Sequence, residues 1–320
     1  MSNVLTLVCP CLNESEVLPQ FYKAVVAQLD TIDALGYRIL LVDDGGSDDT
    51  LTVMNQLAKH DSRVRVLSLS RNFGHQIALT AGIDHAGPGA VIMMDTDMQH
   101  PPDLLPEMIA KWREGFDIVS AVRKKTRGAS WFKNTASAAF YRLVNKLSRT
   151  HIPDGVADFN LISDRVREVL TTMKERHRFV RGMISWVGFD RAFVYYDARE
   201  RAAGEPKYTT WRSLGMAVDA LVSFSSAPLR MATAIGIGVT AIGFLYFVGI
   251  VTRALLVGDH VVGWPSLIAV ILVLGGTQIL FLGLIGQYVA RVFDEAKGRP
   301  LYILKQTPAE LTEDESVRDE

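Results

Sequence analysis

The stretch AVIMMDTDMQ, residues 90–99, sets five apolar side chains ahead of two carboxylates and an amide. It reads as a buried strand that delivers Asp95, Asp97 and Gln99 to its C-terminal end. Alternation leaves those three on one face, where two carboxylates would repel each other without a counter-ion. An all-oxygen set suits a hard divalent cation, Mg2+ or Mn2+, of the kind used to hold a diphosphate. The alternative, a solvated turn leading into His100, Pro101 and Pro102, leaves the repulsion unrelieved. His100 is not needed as a ligand.

Working outward, short β-rich runs alternate with helical patterns. VLTLVCP (4–10), RILLVDD (38–44), RVRVLSL (63–69) and DIVSAV (117–122) read as strands. Helical patterns cover roughly 16–35, 48–60, 74–86 and 102–114. This alternation predicts an α/β fold built from βαβ units, with a mostly parallel sheet covered on both faces. Ligands of such sheets gather at the carboxyl ends of the strands, where Asn13, Glu14, Asp43, Asp44, Arg71, Asn72, Asp95, Asp97 and Arg123 fall. Asp44 is expected to meet a ribose hydroxyl or base, and Asp43 and Arg71 stand at strand ends beside it. Ser47 and Asp48 are expected to cap the next helix. Cys9 and Cys11 flank Pro10 and project to one face, poorly placed for a disulfide. Buried reduced thiols are expected; a redox or metal pair would need further ligands at zinc-site spacing, and none follows.

Further along, a longer helix over about 129–150 precedes strand ADFNLI (157–162) and a second strand within 189–197. Lys133 and Ser137, four apart on one helix face, either hold an anion together or form a solvated surface pair. The polar stretch ARERAAGEPKYT (198–209) reads as a mobile loop whose Arg201 and Lys207 suit phosphate clamping. Residues 209–228 read as an interfacial amphipathic helix. Two charge-free apolar runs, about 231–252 and 264–290, are each long enough to span a bilayer. Their basic flanks put both termini and the first domain in the cytosol, in a multi-pass protein of the plasma (inner) membrane. The start of the chain, with no basic region ahead of an apolar one, fits that placement. Domain limits follow: a cytosolic domain at 1–208, the interfacial helix at 209–228, a transmembrane hairpin at 229–291 and a cytosolic tail at 292–320. The acidic end of that tail is expected to be disordered. Glycines such as Gly236, Gly243, Gly276 and Gly283 offer close-packing faces for a homo-oligomer, a tetramer among the options. Charge is balanced, 34 basic against 35 acidic residues, so no global field argues for nucleic acid.

Taken together, VCPCLNE (8–14), LLVDDGGSDDT (40–50), MMDTDMQHPP (93–102), ADFNLIS (157–163), RFVRGMISWVGF (178–189) and AGEPKY (203–208) resemble the family-2 inverting glycosyltransferases. More narrowly, the series is similar to the polyprenyl-phosphate hexosyltransferases, which include dolichyl-phosphate mannose synthases and bacterial undecaprenyl-phosphate glucosyltransferases. The resemblance covers about residues 4–305. It implies a GT-A, Rossmann-like domain, with Pro10, Leu12, Glu14 and Asp44 at the nucleotide. Asp97 and Gln99 would hold the metal, and Asp95 would face the sugar or the metal. Lys133, Ser137, Arg201 and Lys207 would face phosphates, and Asp158 would stand as the family's acid. This chain departs from the pattern at Asn160, where Arg is usual, and at Gly46, where Ser is usual.

The implied reaction joins a nucleotide-sugar, expected to be UDP-glucose, to polyprenyl phosphate, giving a lipid-linked sugar for glycan modification such as that of O-antigen. Mannose from GDP-mannose or another UDP-sugar are the alternatives. A processive polysaccharide synthase would want more spans, and a non-catalytic membrane scaffold would not need the acids of DTDMQ.

Overall fold

The computed structural model describes residues 4–124, 155–176, 178–197, 227–257 and 263–305. The chain divides into two units. The first comprises residues 1–145, 150–207 and 299–320, and the second 146–149 and 208–298.

The first unit is built on seven strands: β1 (Val4–Cys11), β2 (Gly36–Asp43), β3 (Val64–Ser68), β4 (Ala90–Met93), β5 (Ile118–Arg123), β6 (Val156–Ile162) and β7 (Arg191–Tyr196). They lie in one sheet in the order β3-β2-β1-β4-β6-β5-β7. All four residues of β4, and all of β1 after Val4, are buried. Such unbroken apolar runs mark strands covered on both faces. On one face, Leu5, Leu7 and Cys9 of β1 pack with Leu18, Phe21 and Val25 of α1 (Leu18–Leu29) and Leu105 and Met108 of α4 (Leu105–Arg113). On the other, Val8 and Val42 meet Ala78 and Leu79 of α3 (His75–Asp84) and Val166 of α5 (Asp164–Thr172). Gly82 lets α3 lie close against the sheet, since a Cβ there would come within 2.2 Å of Val8 Cγ1. Cys9 and Cys11 are free and buried on one face, as their spacing predicts.

The expected helix over 16–35 stops early, at Leu29. Asp30 ends it, because its carboxylate accepts hydrogen bonds from Tyr37 Oη and from Arg63 Nη1, at 2.5 and 2.7 Å. Those partners draw the chain into a turn, where Ala34 takes a φ of 54°. Helix α2 runs Thr50–His60.

The pairings β1–β2, β1–β4, β2–β3 and β5–β7 are parallel, while β6 runs antiparallel to β4 and β5. With Met93 opposite Asn160, the first half of β6 lies beyond the C-terminal end of β4. That reversal carries Asp158 to the edge of the sheet where Asp95 emerges. A short helix, α6 (Val180–Trp186), follows α5 and precedes β7.

In the second unit, α7 (Ala227–Val257) and α8 (Trp264–Ala296) are 31 and 33 residues long. Their side chains are described only in short, interrupted runs. Among the described residues, no helix is long and apolar enough to cross a membrane. The backbone of each helix is continuous, and neither 231–252 nor 264–290 holds an Asp, Glu, Lys or Arg.

 The helix over 129–150, the loop at 198–209, nearly all of the interfacial segment and the acidic tail lie outside the described residues.

Candidate active site

The C-terminal edge of the sheet gathers the acids. At the end of β2, Asp43 is buried and accepts hydrogen bonds from Ser68 Oγ (2.8 Å) and the Gly46 N–H (3.3 Å). Its neighbour Asp44 is also buried, and its carboxylate accepts from the N–H groups of Phe73 (2.8 Å) and Gly74 (3.0 Å). Burial pushes the Asp44 pKa up, and those N–H groups pull against it. The Asp44 carboxylate thereby fastens the loop that leads into α3. The turn after it needs glycine: Gly45 has a φ of 67°, and a Cβ there would come within 2.4 Å of the Arg71 carbonyl carbon.

The N-cap of α2 is Asp49, with no side-chain cap hydrogen bond, and not the expected Ser47 or Asp48. Asp48, one residue earlier, accepts from the Thr50 N–H at 3.0 Å and the Ser15 N–H at 3.2 Å. Burial opposes its ionisation, but hydrogen bonds from Ser15 and Thr50 hold its pKa down to about 2. Ser47 makes a different contact: its N–H donates to Asn13 Oδ1 at 2.8 Å. Pro10 is buried in β1, Leu12 and Glu14 are half-buried just beyond it, and the Glu14 N–H donates to Thr50 Oγ1. Arg71 stacks over the Phe73 ring at 4.3 Å.

Beyond β4, Asp95 and Asp97 are half-buried on either side of buried Thr96, but Met98 is half-buried like Gln99, so the expected alternation ends at Asp97. Met98 takes a φ of 62°, and the Gln99 N–H donates to Asp97 Oδ1 at 3.0 Å, closing a tight turn. His100 is buried, stacks on Phe159 with ring centroids 5.1 Å apart, and through Nδ1 accepts the Asp95 N–H at 3.1 Å. Its role is to hold the turn. Among the described residues no three or more His, Cys, Asp and Glu form a group that could hold a metal. The donor set here is two carboxylates and one amide, oxygens throughout, which fits a hard cation completed by ligand and water oxygens.

The antiparallel strand β6 brings Asp158 into this edge. Arg181 of α6 donates to it from Nε (2.7 Å) and Nη2 (3.2 Å), and Gln76 Nε2 donates at 3.2 Å. His75 Nε2 lies 3.6 Å from Asp158 Oδ2 and 3.5 Å from Asp95 Oδ1, bridging the two acids. Burial works against ionisation of Asp158, yet His75 and Arg181 outweigh it and hold its pKa down to about 2. For His75, burial disfavours the charged form, but the two carboxylates win and the pKa is raised.

Asp95, Asp97, Gln99 and Asp158 thus come to one edge of the sheet. Lys133, Ser137, Arg201 and Lys207 lie outside the described residues. Sequence reasoning missed His75, Gln76 and Arg181. The signals were present in RNFGHQ (71–76) and RFVRG (178–182), but only the strand order shows that these segments meet.

A family model described as glycosyl transferase family 2 matches residues 6–170. The chain is 40% identical over 302 residues to the uncharacterized glycosyltransferase YkcC of Bacillus subtilis (strain 168), covering 94% of this chain and 93% of that protein. It is 40% identical over 303 residues to the bactoprenol glucosyl transferase of Shigella phage SfII, covering 95% and 98%. Against the prophage bactoprenol glucosyl transferase homolog of Escherichia coli (strain K12), identity is 39% over 302 residues, covering 94% and 98%.

Proposed function

The chain belongs to glycosyl transferase family 2 and is a glycosyltransferase, and from that premise we propose that it transfers glucose from UDP-glucose to polyprenyl phosphate at the cytosolic face of a membrane. The observation that carries this reading is the match to bactoprenol glucosyl transferases over nearly the whole chain, long helices included. In the reaction an acceptor phosphate oxygen forms a bond to the anomeric carbon. The bond from that carbon to the diphosphate breaks, its electron pair leaves with UDP, and the anomeric configuration inverts.

The acceptor oxygen is already anionic near neutral pH, so a strong general base is unnecessary. Asp158 fits that economy: held ionised by Arg181 and His75, with a pKa of about 2, it is a poor base and a good hydrogen-bond acceptor. Its role in this reading is to orient the sugar. Asp97 and Gln99, with Asp95, would hold Mg2+ or Mn2+, which neutralises charge on a departing diphosphate. The turn at Asp43–Gly46 and the loop at Arg71–Gly74 would form the nucleotide side. Lys133, Ser137, Arg201 and Lys207 are proposed to meet the phosphates.

The second unit is proposed to be a transmembrane hairpin of a homo-oligomer in the plasma (inner) membrane. In support, exposed Ile235, Ile237, Ile242, Phe244 and Leu245 of α7 are apolar around the helix rather than along one stripe.

Purified protein should be incubated with polyprenyl phosphate and a panel of UDP-glucose, UDP-galactose and GDP-mannose, with Mn2+. The expected product is lipid-linked glucose; a preference for another donor refutes the sugar, and the absence of any lipid product refutes the acceptor. Asp97→Asn should abolish transfer and weaken Mn2+-dependent UDP binding. Undiminished transfer in that variant, or in excess chelator, would remove the metal assignment.

A further inference from the structure

Helix α8 stops at a coded boundary. Lys297 and Gly298 donate their N–H groups to Phe293 O (3.1 Å) and Glu295 O (3.2 Å), and Gly298 has a φ of 57°. Arg299 and Pro300 follow, and from Arg299 the chain belongs to the first unit again. There it pairs with the end of β3. Leu304 forms an antiparallel bridge with Leu69; the Ser70 N–H donates to Ile303 O and the Lys305 N–H to Ser68 O, each at 2.8 Å.

Two further contacts fasten the same segment. Tyr302 Oη donates to Asp84 Oδ2 at 3.0 Å and lies 3.3 Å from His85 Nδ1, at the far end of α3 from His75 and Gln76. Arg176 Nη1 donates to Arg299 O at 2.9 Å. Burial raises the pKa of Tyr302, so its hydroxyl remains a donor at neutral pH; burial also raises that of Asp84, and the Tyr302 hydrogen bond pulls against it.

The residues this segment grips lead straight into the donor side of the site. Ser68 Oγ donates to Asp43, the Arg71–Asn72 backbone abuts Gly45, and Phe73 and Gly74 donate to Asp44. The loop 68–74 is therefore fixed from β2 on one side and from residues 303–305 on the other. We infer that the segment Arg299–Lys305 is a positioning latch for the nucleotide side of the site, with Tyr302 as its positioning residue. It rests on the proposed nucleotide-sugar reading. The latch touches no reacting atom; it sets where loop 68–74 and the start of α3 stand.

The test uses the full chain, with UDP plus Mn2+ as the probe in calorimetry and UDP-glucose kinetics beside it. Lys305→Pro removes the N–H that Ser68 accepts, while Lys305→Ala keeps it. Tyr302→Phe removes only the hydroxyl. Tyr302→Phe and Lys305→Pro should each raise the UDP Kd and the donor KM by about three- to tenfold, the effect of one ordinary hydrogen bond. In both, kcat should stay within about twofold, since that bond is far from the reacting atoms. Lys305→Ala should bind like the parent. If Lys305→Pro fails to fold, Tyr302→Phe decides alone. Unchanged Kd and KM in Tyr302→Phe, or an equal loss in Lys305→Ala and Lys305→Pro, would overturn the latch. A parent protein that binds neither UDP nor any other nucleotide would instead sink the nucleotide reading itself.

Discussion

Arg181 holds Asp158 with two hydrogen bonds, and both side chains are largely shielded from water. Removing one partner of such a pair leaves the other charge uncompensated, so Arg181→Ala should cost roughly 2–4 kcal/mol in denaturant unfolding and lower transfer at least tenfold. An unchanged midpoint would show that the pair contributes nothing. The sign of the pH dependence follows from the lowered Asp158 pKa. Its contribution to stability is full above the unfolded carboxylate value of about 3.9 and is lost as pH falls toward about 2. His75 works the other way: its pKa is raised, so its contribution is full below about 6.5 and fades as pH climbs through the raised value. An NMR titration of His75 should give a midpoint above 6.5, and one below it would break the bridge between Asp95 and Asp158. Asp95 and Asp97 were legible in the sequence because alternation after an apolar run is a local signal, whereas Gln99 is placed by the turn at Met98. His75, Gln76 and Arg181 were not legible, because the Asp158 they touch lies on a strand distant in sequence, 82 positions from Gln76 and 23 from Arg181. 

At the scale of elements, the strands were readable to within a residue or two, because β1 and β4 bury nearly every side chain and show as unbroken apolar runs. The end of α1 was not. Nothing within 16–35 announces a stop at Leu29, since the partners that turn Asp30 out of the helix, Tyr37 and Arg63, belong to later elements. The direction of β6 was equally hidden, because a strand's apolar pattern is the same read either way. The β2–α2 turn offers a sharp test. Gly45→Ala puts a Cβ into the Arg71 backbone at a φ of 67°. It should cost about 1–3 kcal/mol and weaken UDP binding, because the loop carrying Arg71 must move. Thermal unfolding and calorimetry read the two effects, and an alanine variant with parental values in both would show that the loop does not bear on the nucleotide side.

For the whole molecule, two units of different composition share one chain, and the second returns the chain to the first at Arg299. Reporter fusions after Val257 and after Ile303 should fall on opposite sides of the membrane, the first outside and the second in the cytosol. Both on one side would contradict the hairpin. The chain has 2 cysteines, and both sit in β1, third of the seven strands and sealed beneath α1. Burial keeps both thiols protonated. A thiol reagent can therefore reach them only when the sheet itself opens, and no other thiol competes for it. The protein thus carries an internal labelling clock: modification kinetics report excursions of the catalytic unit alone, in detergent or in a bilayer, without a tag or an engineered probe.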